Sequence, residues 1–164
     1  MNAYTAHLLL GTNVGDREGY LSFAVEKISQ LAGKIVHISQ IYQTAAWGFT
    51  QQADFLNQAL VVDTPHEPET LLSILQEIEN QAGRQRLFKW GPRTLDIDII
   101  AIDDLVIHSA KLCVPHPAMA QRRFVLHPLA DLLPTWRHPL TGLTYAQMLA
   151  TCQDTSLVQK YQRL

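Results

Sequence analysis

Two aspartates two positions apart, Asp96 and Asp98 in "KWGPRTLDIDII", are the residues best placed to do chemistry. The segment around them reads as a β-strand, and aspartate is depleted in strands. In a strand, residues i and i+2 project from the same face, so the two carboxylates stand side by side while Ile97 and Ile99 point the other way. Like charges held together destabilise each other unless a cation lies between them. A divalent, oxygen-seeking ion such as Mg²⁺ resolves that repulsion, and it binds through one or two carboxylates plus substrate phosphates. The plainer alternative is a solvent-facing polar edge on an amphipathic strand.

The neighbouring residues bear on that choice. Arg93 lies three residues before Asp96, and Arg84 and Arg86 open the same loop. Arginine binds phosphate through a planar, bidentate fork. Arginines beside a carboxylate pair are what a metal-bound polyphosphate requires, although salt bridges to Asp96, Asp98 or Glu79 would use the same side chains. There is no GxxxxGK[ST] run, and the glycines of "GTNVGDREG" do not follow GxGxxG, so they read as a strand-to-helix turn. A nucleotide here is held by side chains and metal. Phe55, Trp90 and Phe124 sit near predicted strand ends or loops, and Asn57 shares the face of Phe55. Flat rings with an amide suit a planar, hydrogen-bonding heterocycle, or else they are core. His116, in "VPHP", is within reach of the phosphate site. His7, His37, His66, His108, His127 and His138 are scattered and read as structural or exposed.

The elements that must position these groups follow from periodicity. "AYTAHLLLGTN" reads as a strand ending in a tight turn. "VGDREGYLSFAVEKISQLAG" reads as a helix capped by Asp16, with Leu21, Ala24, Val25, Ile28, Leu31 and Ala32 as its apolar stripe and Gly33 at the C′ position. "KIVHISQIYQT" alternates as one strand, "AAWGFTQQAD" is a loop, and "FLNQALVVDT" is a third strand. "PETLLSILQEIENQAG" is a second helix with Pro68 in its first turn and Leu71, Leu75, Ile78 and Ala82 facing the core. After the arginine loop come the strand "TLDIDIIAID" and a short strand "LVIHS". Short helices are expected near 122–132 and 145–151. The order β-α-β-β-α-β predicts an α+β, ferredoxin-like core: a mostly antiparallel sheet with two helices on one face, followed by a C-terminal extension.

Composition narrows the function classes. The chain has 164 residues, 47% hydrophobic and 17% charged, with net charge −2, which suits a single globular domain over 1–164. The charge balance and the lack of a basic cluster argue against nucleic acid as a partner. No apolar run has the length of a membrane span, and no secretory signal is evident. Cys113 and Cys152 lack CxxC spacing and are expected to be reduced thiols in the cytoplasm.

Several of these segments resemble one family, the 6-hydroxymethyl-7,8-dihydropterin pyrophosphokinases of folate biosynthesis. The resemblance rests on "KWGPRTLDIDII", "LLLGTNVGD" (Thr12 for the usual serine), "IYQTAAWG", "DFLNQAL", "LQEIENQAGRQR" and "VPHPAMAQRRFVLHPL", in that family's spacing along nearly the whole chain. It implies an ATP-dependent diphosphotransferase that moves the β,γ-diphosphate of ATP to the pterin hydroxymethyl group and releases AMP. By the same resemblance Asp96 and Asp98 hold two Mg²⁺ ions, and Arg84 and Arg93 act on the phosphates. ATP contacts fall on Gln76, Arg84, Arg86, Trp90, Arg93, Ile99, Lys111, His116 and Arg122. Pterin contacts fall on Thr44, Ala45, Ala46, Trp47, Gly48, Phe55, Asn57, Trp90, Asp96 and Phe124. Glu79 matches an acid near the site. Ala45 and Ala46 stand where some members carry proline, Pro117 stands where some carry tyrosine, and the arginine loop is one residue shorter than in some relatives. No side chain presents itself as a dedicated general base, so metal activation of the acceptor hydroxyl is the more economical account. The loops at 45–54 and 84–93 flank the site as lids over ATP. A monomer is expected. The rivals are a ligand-binding module without chemistry, a nucleotidyltransferase and an interaction domain.

Overall fold

The computed structural model describes residues 3–44, 53–83 and 94–162. Ala45, Ala46, Trp47, Gly48, Arg84, Arg86, Trp90 and Arg93 lie outside the described residues, and so does most of each expected lid. The elements run β1 (Tyr4–Thr12), α1 (Arg17–Leu31), β2 (Lys34–Ile38), β3 (Tyr42–Thr44), β4 (Phe55–Thr64), α2 (Pro68–Gln81), β5 (Asp96–Ile102), β6 (Ile107–His108), β7 (Cys113–Val114), α3 (Arg123–Leu132), α4 (Tyr145–Thr151) and β8 (Val158–Lys160). The main sheet has the order β5-β1-β4-β3-β8, with β2 also on β4. Its strand pairings are antiparallel. This is the split β-α-β arrangement that the element order predicts.

Local chemistry explains most of the boundaries. Asp16 caps α1 by accepting a bond from the Gly19 amide at 3.0 Å, satisfying one of the free donors of a helix start. Pro68 begins α2, where a missing N–H costs nothing. Gly83 ends α2 with φ +73°, the left-handed conformation that glycine adopts without strain. Gly33 follows α1 for a different reason. A Cβ there would lie 2.2 Å from the Asp63 carbonyl oxygen, so the residue is small because β4 passes against it.

Two expectations are corrected. The segment 34–44 is two strands, not one. Between them the Ser39 hydroxyl accepts the Ala59 amide at 2.9 Å, so a side chain takes over one rung of the ladder and the chain bends. Leu31 is 45% exposed, and it lies at the rim of the α1 stripe rather than in it. The first two expected helices cover one face of the sheet, and the short helices expected in the C-terminal extension are present as α3 and α4 and cover the other. Leu9, Ala59 and Ile100 pack with Val125, Leu126 and Leu129 of α3 and with Tyr145 and Met148 of α4. Leu8, Leu10, Leu60 and Val62 pack against α1 and α2 on the opposite face. Successive strand residues point to opposite faces. The run Ala6–Leu10 is therefore buried throughout because it feeds two cores.

The register of β5 decides which of its side chains face which core. Leu8 pairs with Ile99 but His7 pairs with Ala101, so Ile100 is the extra residue of a bulge. The bulge resets the alternation, and Ile97, Ile99 and Ile102 all reach the α1/α2 core while Ile100 reaches the other.

Candidate active site

The face carrying Ile100 also carries Asp96 and Asp98. Cross-strand partners in a sheet share a face, and the register lines up Tyr42, Asn57, Gly11 and Asp96 across β3, β4, β1 and β5. The next row towards α3 is Ala59, Leu9 and Asp98. In the other direction Thr44 pairs with Phe55. The carboxylate pair, the amide, the threonine and one aromatic ring are thus brought onto one patch of sheet. Two strand spacings put Asn57 and Asp96 about 9.6 Å apart.

Glycine occupies the position between them. A Cβ on Gly11 would come within 3.0 Å of Asn57 Nδ2 and 3.9 Å of Phe55 Cδ1. Lacking a side chain, Gly11 is the low point of the row, and the Asn57 amide closes over one side of this trough between β4 and Asp96. Spacing alone assigns this glycine to the strand-to-helix turn. It lies within β1, and a glycine inside an apolar strand is the signal of close approach that reveals it.

The amide is held in a defined orientation. Asn57 Nδ2 donates to the Leu10 carbonyl at 3.2 Å, and Thr44 Oγ1 donates to Asn57 Oδ1 at 3.4 Å. Each contact uses part of the amide's capacity, and one N–H and one acceptor lone pair remain for a ligand. Nearby, Asn13 Nδ2 donates to the Ala53 carbonyl at 3.1 Å, and Arg17 Nη1 donates to the Asp54 carbonyl at 2.9 Å. These two side chains, not anticipated from the sequence, tie the chain entering β4 to the β1–α1 connection and the start of α1.

The acids differ in setting. Asp98 is exposed and Asp96 half-buried. Glu79 of α2 is buried, and its Oε2 accepts the Ile97 amide at 2.8 Å. That bond fixes the outer edge of β5 midway between the two aspartates. On the same strand the His116 amide donates to the Ile100 carbonyl at 2.8 Å. His116 Nδ1 accepts the Ala118 amide at 3.1 Å, so its proton sits on Nε2. Burial, aided by the Arg122 guanidinium, lowers its pKa. Arg122 lies over the Phe124 ring, 5.9 Å from its centroid, and Phe124 packs half-buried against the α3 core.

The remaining expected residues are more dispersed. Gln76 is exposed on α2 one turn before Glu79, and Lys111 is exposed ahead of β7. The Ile99 side chain is 5% exposed within the α1/α2 core, so packing claims it and only its backbone faces elsewhere. As a donor set, two carboxylates on one face suit a cation that takes its other oxygens from phosphates. Among the described residues no group of three His, Cys, Asp or Glu could hold a metal by itself. Cys113 and Cys152 are free thiols.

An antiparallel sheet with helices on both faces, an acidic pair on its edge strand and an amide and an aromatic ring on the same patch defines an α+β domain with a candidate active site. Residues 7–134 match the family model described as 7,8-dihydro-6-hydroxymethylpterin-pyrophosphokinase (HPPK). The chain is 43% identical over 136 residues to the 2-amino-4-hydroxy-6-hydroxymethyldihydropteridine pyrophosphokinase of Aquifex aeolicus, covering 83% of this chain and 84% of that one. It is 45% identical over 128 residues to the enzyme of the same name from Bacillus subtilis, covering 77% of each. The chain belongs to the HPPK family. Among solved structures, a Plasmodium falciparum HPPK-DHPS chain superposes with TM-score 0.76 at 16% identity. That match covers 91% of this chain and 43% of the other, so this chain spans less than half of the fused protein.

Proposed function

We propose that this protein transfers the β,γ-diphosphate of ATP to the hydroxymethyl group of 6-hydroxymethyl-7,8-dihydropterin, giving AMP and the pterin diphosphate in folate biosynthesis. Family membership supports the reaction. The observation that carries the site is the row Asn57–Gly11–Asp96, which supports heterocycle recognition beside the acidic pair. The pterin lies in the Gly11 trough, with Asn57 and Thr44 on its polar edge and Phe55 and Phe124 on its faces. Stacked rings exclude water from the acceptor hydroxyl, which limits wasteful ATP hydrolysis.

Asp96 and Asp98 would hold Mg²⁺, two ions in our reading, with oxygens of the ATP phosphates as further ligands. When bound, these ions supply neutralising charge and make the acceptor hydroxyl more acidic. His116 presents its Nε2–H to a phosphate oxygen, and Arg122 adds a charge-assisted contact. Arg84 and Arg93 stabilise charge developing on the transferred group, while Gln76, Arg86, Trp90, Lys111 and the backbone at Ile99 complete the nucleotide site. Ala45, Ala46, Trp47 and Gly48 complete the pterin side. Phosphoryl transfer needs chiefly positioning and charge neutralisation, so no dedicated general base is required.

We also propose a single domain, since both cores share one sheet, and a cytoplasmic monomer. Among the described residues no helix is long and apolar enough to cross a membrane.

One incubation tests the assignment. Protein, MgATP and 6-hydroxymethyl-7,8-dihydropterin should yield AMP in step with pterin diphosphate. Pyrophosphate as the product would indicate nucleotidyl transfer, and pterin binding without any nucleotide product would indicate a binding module.

A further inference from the structure

We infer that Tyr42 is a positioning residue for the pterin site, acting through Asp131 and His127 of α3 to set the height of the Phe124 ring above the sheet. Tyr42 occupies the same cross-strand row as Asn57, Gly11 and Asp96, yet its hydroxyl is directed away from the trough. It donates to Asp131 Oδ2 on α3. Its ring meets the His127 ring with centroids 4.9 Å apart, and His127 Nδ1 lies 3.9 Å from the same Asp131 oxygen. Tyr42 is 1% exposed, and burial together with Asp131 raises its pKa, so the hydroxyl stays a donor.

The helix repeat makes the contact consequential. Phe124, His127 and Asp131 are spaced three and four apart, and such residues stack along one helix face. A bond at Asp131 and a ring contact at His127 therefore fix the roll of the face that carries Phe124. Pro128, inside α3, offers no N–H to the Phe124 carbonyl. The first turn thus loses one internal restraint, and an external strut gains importance. A tyrosine beside the trough, bonded to the helix rather than aimed at the ligand, fits a spacer between the two walls of a sandwich.

The strut rests on the assignment of Phe55, Asn57 and Phe124 to the pterin site, and the test separates the two. Tyr42→Phe keeps the ring and removes only the hydroxyl. It should raise the pterin Kd and KM roughly two- to tenfold, the weight of one net hydrogen bond, while kcat and the ATP KM stay within about twofold of the parent. Asp131→Ala should match it. Asp131→Asn, which retains an acceptor oxygen, should restore near-parental pterin affinity, and the Tyr42→Phe/Asp131→Ala pair should be no worse than either single change. Phe124→Ala serves as the control. If Phe124→Ala weakens pterin binding and Tyr42→Phe does not, the strut is wrong and the site stands. If Phe124→Ala leaves pterin binding unchanged, the site assignment falls and the strut with it. A loss of thermal stability in Tyr42→Phe at unchanged pterin Kd would assign the contact a purely structural role and overturn the strut.

Discussion

The two faces of the sheet carry out different tasks with the same strands. The face under α1 and α2 is mainly apolar, with Leu8, Leu10, Leu60, Val62, Ile97 and Ile99 among its contributions and Thr12, Gln58 and Thr64 buried between them. The opposite face is apolar only where α3 and α4 cover it. Beyond that cover it carries Asp96, Asp98, Asn57 and Thr44, with Gly11 between; Asn57 and Thr44 are buried, Asp96 is half-buried and Asp98 is exposed. Burying the first face stabilises the domain. The second keeps its two carboxylates at least partly accessible, because a carboxylate is costly to bury alone. β5 serves both faces, sending Ile97, Ile99 and Ile102 one way and Asp96, Asp98 and Ile100 the other.

This contrast can be broken from either side. The largest effect is expected at Asp98, which is exposed. Asp98→Asn should lower kcat/KM for AMP formation by on the order of a thousandfold and leave the denaturant midpoint nearly unchanged. A clear drop in that midpoint would give Asp98 a structural role instead. Next is Leu8→Ala, which removes a fully buried side chain from the other face. It should cost about 2–5 kcal/mol in urea unfolding, with substrate KM values unchanged in the folded fraction.

A third expectation concerns acid stability on the α3/α4 side. His7 is 2% exposed, and its Nδ1 is hydrogen-bonded with Tyr145 Oη at 2.8 Å. Its ring meets Trp136 edge-on at 5.0 Å, and Trp136 stacks on Tyr145 at 4.6 Å. Burial lowers the His7 pKa from 6.5 to about 4. Between those values the unfolded chain takes a proton that the folded one refuses, so stability falls as pH drops from 6.5 towards 4, by up to about 3 kcal/mol. Unfolding measured across that window should flatten in His7→Gln; an unchanged slope would assign the acid sensitivity elsewhere. The smallest effect is reserved for Gly11→Ala. The added methyl, 3.0 Å from Asn57 Nδ2, should raise the pterin KM severalfold, by about 1 kcal/mol, while the ATP KM and the melting temperature hold. A change in ATP KM alone would place the trough on the nucleotide side.

Much of this organisation is legible in the sequence because it is local. Periodicity marks β1, α1, β4, α2 and β5, and Asp16, Pro68 and Gly83 mark helix ends through chemistry within a turn of each. The pair Asp96–Asp98 announces itself because a strand has no reason of its own to carry two adjacent acids. The break at Ser39 and the bulge at Ile100 are not legible, since each depends on a partner strand distant in the chain. The roles of Gly11, Asn13, Arg17 and Tyr42 are hidden for the same reason.

The sequence by itself determined which residues can do chemistry, the class of chemistry, and the order of helices and strands, because residue type and spacing act over a few positions. Only the tertiary structure decided that Asn57 and Asp96 share a row across a glycine, and that a buried glutamate from α2 holds the strand between the acids. It alone also assigned the C-terminal helices to the second core. Those are pairings of residues tens of positions apart, set by sheet register and by which apolar face must be covered, and no local pattern encodes them.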